Sequence, residues 1–378
     1  MKILILKSGK YPSPEASSKR LSNYCKAFAK GGHEVDIKTV NVKAKSPIFD
    51  FVGSYLVPYF AFYKTMSHSN HYSAVLVYGF GWIGKLLIIA ACKIKRKQVV
   101  LELNELPYSI NGGSRRDIIL KYFNAINRSI LEHFVFGLFD GFIVISDKLL
   151  SYVKEYKKRS APILKVPILV DFTEYQKAKE RPLAQFPYFI NTARTNNHKD
   201  GIINVLQAFS VLINSYKVEL SFYLTSNVLP SDLRAEVERI ITGENLGERV
   251  TFLGDLDEDE LLAWQAHSAF LVLNKVDSQQ NRYNFATKLG EFLALGKPVI
   301  TSNVGEVTNY LKHNLSCIYV DPTDYLSIAK AMYRILTEPD LAEEIGEAGK
   351  EIAKAHFDYQ IQSPHICNFF ERINLNRQ

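Results

Sequence analysis

The feature that most constrains this 378-residue chain is a rhythm that runs twice. Short apolar or β-branched runs alternate with helical patterns. KILILK precedes a helix from about Ser17 to Lys30, a Gly31-Gly32 stop and EVDIKTV; SAVLVYG leads into GKLLIIAACKIKRK and QVVLELN. A helical stretch over roughly 115–138 precedes GFIVIS, and a further helix precedes ILKVPI. Strand, helix, strand in this order predicts a parallel sheet with helices on both faces. The stretch 171–187, DFTEYQKAKERPLAQFP, is polar, contains two prolines and reads as a linker. The rhythm then restarts with YFINTA and continues through ELSFYLTS, RVTFLG, AFLVLN, PVITS and SCIYV, each separated by a helical pattern.

The reading is therefore α/β: two Rossmann-like, doubly wound domains over residues 1–175 and 183–358, facing a central cleft. The final helix, about 360–378, is amphipathic and is placed to pack back on the first domain. Ligands of open parallel sheets bind at strand C-terminal ends, so the cleft is the expected site.

Charge separates the two halves. Residues 1–180 hold 28 Lys+Arg against 14 Asp+Glu, a balance of +14, whereas residues 181–378 hold 18 against 25, a balance of −7. A basic first half suits an anionic ligand or surface, with solvated lysines on helix faces as the plain alternative. Nucleic acid is not expected, because no nucleic-acid-binding motif appears. The four cysteines (Cys25, Cys92, Cys317, Cys367) form no CxxC or metal-binding spacing, and read as reduced thiols of a cytoplasmic protein. MKILILK has four apolar residues before Lys7, too few for a signal-peptide core, and no run of 18 uncharged apolar residues is present.

Two glycine motifs compete for attention. GFGWIG, with Gly79, Gly81 and Gly84, matches GxGxxG between a strand and a helix, and Glu102 lies at a plausible distance for a ribose contact. That reading implies NAD(P) and an oxidoreductase. Against it, the motif sits in a later βαβ unit, and Phe80 and Trp82 crowd the turn; a tight strand–helix turn is the plain alternative. GEFLALGKP has five residues between its glycines, Pro298 at the magnesium-binding position and the reverse order of elements, so it is not a phosphate-binding P-loop.

The segment KLGEFLALGKPVI predicts a short helix that buries Leu289, Phe292 and Leu293, stops at Gly296 and turns through Pro298 into a strand. Its first turn, near Asn284–Thr287, offers free backbone N–H groups to a phosphate or a sugar hydroxyl. Glu291, one turn inside, is placed to accept two hydrogen bonds from a vicinal diol such as ribose; an exposed helix carboxylate is the plain alternative. Earlier, ARTNNHKDG sets Arg194 past a strand end and Lys199 five residues later. Two cations at a strand's C-terminal end suit a diphosphate, one as a planar fork and one as a point charge.

Taken together, these segments resemble the retaining GT-B glycosyltransferases of family 4, the group 1 glycosyltransferases, over nearly the whole chain. PEASSKRLSNYCKAFAKGGHEV is similar to the family's first loop and helix, and GFIVISDKLLSYV and VPILVDFTEY to its middle segments. ARTNNHKDGIINVLQAF resembles its Arg…Lys-Gly motif, FLGDLDEDELLAWQAHSAFLVL its Phe-Leu-Gly segment, and NFATKLGEFLALGKPVITSNVGEV its nucleotide-ribose motif.

The resemblance implies a first domain that binds the acceptor and a second that binds the nucleotide sugar. It implies transfer from a UDP- or GDP-linked sugar with no metal or other cofactor: Arg194 and Lys199 neutralise the departing diphosphate, and Glu291 holds the ribose. Phe285, Ala286 and Thr287 offer amides, and Ser17, Asn284, Lys288, Gly254 and Tyr283 complete the donor set. Three positions depart from the family pattern. Tyr283 stands where a second Glu touches sugar hydroxyls, leaving Asn281 or Asn284 as substitutes; Ala16, Ser17 and Ser18 replace first-loop glycines; Asn104 and Glu105 replace a His. Glu105 is then either a base for the acceptor hydroxyl or a sugar contact, with a loop carboxylate as the plain alternative. The departures keep open a second reading, a nucleotide-sugar-binding scaffold with weak or no turnover.

The expected acceptor is a saccharide or polyprenyl-linked saccharide for surface polysaccharide or glycolipid synthesis. The aromatic stretch 48–66 and the basic run KIKRK suggest a peripheral contact with an anionic membrane surface, the inner face of the membrane being the expected location. A core helix is the alternative for 48–66.

Overall fold

The computed structural model describes residues 1–13, 16–40, 72–109, 115–176, 184, 186–192, 200–225, 229 and 231–375. The aromatic stretch 48–66 lies outside the described residues. The chain divides into two compact units. One comprises Met1–Leu169, Tyr283–Phe285 and Tyr359–Gln378; the other comprises Val170–Arg282 and Ala286–Asp358.

The first unit is a parallel sheet of β1 (Lys2–Ser8), β2 (Glu34–Val40), β3 (Ala74–Tyr78), β4 (Gln98–Leu103), β5 (Gly141–Val144) and β6 (Ile163–Lys165), in the order β2-β1-β3-β4-β5-β6. Ile3, Leu4, Ile5 and Leu6 are all fully buried. An unbroken apolar run is what a strand covered on both faces requires, and KILILK supplies it. The helices are α1 (Ala16–Lys30), α2 (Trp82–Ile94), α3 (Arg115–Ile130) and α4 (Asp147–Tyr156). Ser146 caps α4 by accepting from the Leu149 amide at 3.2 Å. The C-terminal helix Tyr359–Leu375 packs on α1, where Phe28 and Phe370 meet edge to face at 5.1 Å and Ser363 donates to the Ala27 carbonyl.

The helix expected over 115–138 is α-helical only to Ile130. It continues as a π turn, Leu131–Val135, and a 3₁₀ turn, Phe136–Leu138. Apolar spacing alone does not distinguish these from an α-helix, because the local pattern of buried residues is similar.

The second unit opens with a short helix, α5 (Phe172–Tyr175), inside the stretch expected as linker; Asp171 caps it by accepting from the Thr173 amide at 3.0 Å. Its sheet contains β7 (Tyr188–Asn191), β8 (Ser221–Leu224), β9 (Val250–Phe252), β10 (Leu271–Leu273), β11 (Val299–Ser302) and β12 (Ile318–Val320), in the order β12-β11-β10-β7-β8-β9. Helices α6 (Ile202–Asn214), α7 (Ser231–Gly243), α8 (Glu258–Ala266), α9 (Gln279–Tyr283), α10 (Thr287–Ala294), α11 (Tyr325–Thr337) and α12 (Pro339–Phe357) complete it. Phe189 stacks between Phe222 at 4.2 Å and Phe270 at 5.1 Å, locking three neighbouring strands together. The four cysteines are free thiols, and three of them are buried.

Candidate functional site

In the second sheet the chain runs β7, β8, β9 to one side and then returns to add β10, β11 and β12 on the other. The strand order therefore reverses between β7 and β10. Loops leaving adjacent strands in opposite directions open a crevice at their C-terminal ends, the usual ligand site of such sheets. A small cavity there is lined by Asn191, Thr192, Asp200, Asn274, Lys288 and Phe292, among others.

The loop after β7 carries Arg194 and Lys199, which lie outside the described residues, but both of its ends are described. Lys288 donates from Nζ to the Thr192 carbonyl and reaches Thr192 Oγ1 at 3.3 Å. At the other end, Lys275 pairs through Nζ with Asp200 Oδ1. Asn274, 4% exposed, donates from Nδ2 to the Gly201 carbonyl at 3.2 Å and the Pro322 carbonyl at 3.1 Å. Gly201 has φ +51°, and a Cβ there would come within 2.6 Å of Asn274 Nδ2, so this position requires glycine. Ser302 fixes Lys275 from both sides, accepting from its amide at 3.0 Å and donating to its carbonyl at 2.7 Å.

The helix of the nucleotide-ribose motif is α10. It buries Leu289, Phe292 and Leu293, and Gly296 at φ +68° follows its last turn. Ala286 stands at the N-cap with extended backbone and contributes no side-chain cap. Of the first-turn amides, that of Leu289 donates to the Ala286 carbonyl at 3.0 Å, and the N-terminus of a helix without a side-chain cap suits an anion or a sugar hydroxyl. Glu291, half-buried, lies one turn inside. Burial, and next the Glu291 carboxylate, hold the Tyr175 phenol well above its ordinary pKa, which places α5 beside this helix. The sequence reading missed Tyr175, Asn274 and Lys275.

Other expected residues fall as follows. Gly254, at φ +85°, follows β9 at the sheet edge. Asn281 is buried and donates from Nδ2 to the Val276 carbonyl at 2.8 Å. Tyr283, Asn284 and buried Phe285 group with the first unit. There Ser146 donates to the Tyr283 carbonyl at 2.7 Å, and the Tyr283 and Tyr152 rings meet edge to face at 6.3 Å.

In the first unit, Ser17 is half-buried at the start of α1. Its neighbour Ser18 is the buried hydroxyl, 2.9 Å from Ser13 Oγ. Glu105 is exposed in the loop after β4, close enough for its charge to help raise the Tyr78 pKa, after burial and Glu102.

GFGWIG is a tight strand–helix turn. Gly79 and Phe80 have φ of +81° and +66°, and Tyr108 OH accepts from the Trp82 amide at 2.8 Å. Lys85, 5% exposed, donates to the Phe80 carbonyl, and its burial pulls the amine down to about 7. Glu102, the ribose ligand of the NAD(P) reading, is sealed inside the unit. Arg20 donates from Nε to Glu102 Oε1 at 2.5 Å, and Tyr24 OH donates to the same oxygen at 3.1 Å. A ligand cannot reach that carboxylate, and the dinucleotide reading is withdrawn.

Residues 186–338 match the family model Glycosyl transferases group 1. The match spans β7 through α11, including the loop of Arg194 and Lys199 and helix α10. The fold is the GT-B fold, with two Rossmann-like domains, and solved structures match it along its length. Sucrose-phosphate synthase from Thermosynechococcus elongatus is 17% identical, with a TM-score of 0.75 and 99% of each chain covered. Anabaena HepE in complex with UDP and glucose is 15% identical, with a TM-score of 0.73, covering 98% of this chain and 100% of its own. The lipopolysaccharide outer core galactosyltransferase WaaB is 12% identical, with a TM-score of 0.62, covering 100% and 98%. No curated protein sequence matches the chain as a relative.

Proposed function

We propose that the group 1 domain belongs to a retaining glycosyltransferase that needs no metal and moves a sugar from a UDP- or GDP-linked donor to a saccharide or polyprenyl-linked acceptor. The observation that carries the reading is α10: an N-terminus without a side-chain cap and a half-buried carboxylate one turn inside, next to a strand-order reversal. Glu291 accepts from the ribose hydroxyls. The amides around Phe285, Ala286 and Thr287 hold the sugar or its phosphate, with Asn284, Lys288, Tyr283, Gly254 and Ser17 as further donor contacts.

Arg194 and Lys199 neutralise the diphosphate as the bond from the sugar's anomeric carbon to its oxygen breaks. Electrostatic stabilisation of the developing charge is the main assistance such a site offers, worth about 10²–10³ in rate per preorganised donor. The acceptor oxygen forms the new bond on the face the nucleotide leaves, so configuration is retained and no protein nucleophile is needed. Glu105 is assigned to the acceptor side, as base or sugar contact. HepE was solved with UDP and glucose, which supports UDP as the first nucleotide to test. WaaB is a lipopolysaccharide outer core galactosyltransferase, which supports a surface-saccharide acceptor.

A thermal-shift panel of UDP- and GDP-sugars, followed by release of labelled sugar from the best donor with and without lipid extract, tests the proposal. Stabilisation together with acceptor-dependent transfer supports it. Stabilisation without turnover favours the scaffold reading, for which Tyr283 in place of the usual Glu is the specific observation. Stabilisation by none of the donors removes both.

A further inference from the structure

The first unit holds a cavity of about 350 Å³ that the proposed function does not use. It opens where three parallel strands begin. Gln98 is the first residue of β4, Asp140 stands just before β5, and Pro162 just before β6. Ligands of open parallel sheets are expected at the other end, where the strands finish. The length of β4, about 17 Å, separates Gln98 from the loop that carries Glu105.

The walls are held by bonds of their own. Asp140 accepts at Oδ1 from Lys93 Nζ at 2.6 Å and at Oδ2 from the Val99 amide at 2.9 Å. The turn Lys158–Ala161 closes through the Ala161 amide and the Lys158 carbonyl at 3.0 Å, and Lys157 Nζ donates to the carbonyls of Lys158 and Arg159 at 3.1 Å each. Ile373, in the last turn of the C-terminal helix, supplies an apolar wall. A Cβ on Gly141 would come within 2.5 Å of Ile373 Cδ1, so this helix reaches the start of β5 only because a glycine stands there.

Inside this frame one polar group is left over. Gln98 is 4% exposed, and its side-chain amide makes no hydrogen bond to any described residue. A buried amide offers two donors and an acceptor, and proteins seldom leave such a group unmet. The Lys158 amine likewise has no partner among the described residues. With Asp140 paired to Lys93, it leaves the lining with one uncompensated positive charge. Ser160 adds a hydroxyl, and Phe139 and Ile373 add apolar surface.

We infer that this cavity binds an acidic monosaccharide, a single sugar ring bearing a carboxylate or a phosphate. Each sugar hydroxyl both donates and accepts, which matches the Gln98 amide and the Ser160 hydroxyl. The anionic group meets Lys158, and the C–H face of the ring suits Phe139 and Ile373. The volume lies at the low end of the range of about 300–1,000 Å³ for ligand pockets, so it admits one sugar with its charged group and not a dinucleotide. An apolar ligand would leave Gln98 unmet, and an inorganic anion on Lys158 alone would do the same. The site is separate from the donor chemistry proposed for the second unit and stands without it.

The test is calorimetric titration of glucuronate and of glucose 1-phosphate into the full chain with excess UDP present, and of glucose and inorganic phosphate as controls. One acidic sugar is expected to bind with a Kd of about 0.1 mM, at least tenfold more tightly than either control, and the two arms tell carboxylate from phosphate. Gln98→Leu is expected to weaken that binding at least tenfold, and Lys158→Met to bring the acidic sugar down to the affinity of glucose, with neither lowering the melting temperature of the sugar-free protein. Should Gln98→Leu fail to fold, Ser160→Trp, on the exposed turn, fills the mouth and is expected to abolish binding. No binding of either acidic sugar overturns the inference. Equal binding by the variants also overturns it, assigning the sugar to another place on the chain. Phosphate bound as tightly as the sugars leaves an anion site only, and glucose bound as tightly leaves Lys158 without a role; each overturns it too. A wild type that binds an acidic sugar with these variant effects but ignores both UDP and GDP counts against the proposed function alone.

Discussion

Arg20 and Glu102 meet at 2.5 Å in the interior of the first unit, with side chains 1% and 0% exposed. The guanidinium also donates to the carbonyls of Pro167 at 2.6 Å and Val166 at 3.0 Å, tying α1 and β4 to the segment after β6. Removing one member leaves a buried charge without its partner. Arg20→Met or Glu102→Leu should each cost about 3–5 kcal/mol, and the double variant less than their sum. Urea denaturation of the four proteins checks this; additive losses would mean the pair is not coupled.

Asn274 and Lys275 grip the second end of the loop that carries Arg194 and Lys199. Asn274→Ala removes two hydrogen bonds from a buried position and should cost about 1–3 kcal/mol of stability. It should also lower kcat/KM for transfer by about tenfold, because the loop's cations lose their alignment. Lys275→Met should act similarly on kcat, with Lys275→Arg recovering part of the loss. Steady-state kinetics that place the whole effect in stability, with kcat unchanged, would make both residues purely structural.

Lys85 makes stability depend on pH. Its amine titrates near 7 in the fold against 10.5 in the unfolded chain, so between those values the unfolded state binds the extra proton. Stability therefore rises with pH across this window and is lowest below it. Lys85→Met should be more stable than the wild type at pH 7 by an amount on the order of 3 kcal/mol. The advantage should shrink to nothing as pH approaches 10.5. Thermal melts across that range would show parallel curves if the amine were ordinarily solvated.

Much of this architecture is legible in the sequence, and the reason is local. KILILK, SAVLVYG and GFIVIS announce buried parallel strands, and Gly296 with Pro298 marks where α10 stops. Arg20 with Glu102, Asn274 with Gly201 and Tyr175 with Glu291 are separated by dozens of residues, and no periodicity pairs them. The bond from Asn281 to the Val276 carbonyl, five residues back across a loop, likewise has no periodic signal in the sequence. GFGWIG fits two patterns because a glycine-rich turn before a helix has one appearance whether it cradles a phosphate or closes on its own Lys85, and the tight turn weighed against the dinucleotide reading is what the fold contains.

The central claim is that the second unit grips a nucleoside diphosphate through Arg194 and Lys199 at the phosphates and Glu291 at the ribose. Calorimetric titration of UDP and GDP into the wild type, Arg194→Ala/Lys199→Ala and Glu291→Ala tests it most directly. The account predicts micromolar binding of one nucleotide by the wild type, about 100-fold weaker binding by the double variant and about tenfold weaker binding by Glu291→Ala. Binding of neither nucleotide by the wild type, or equal binding by all three proteins, would contradict it.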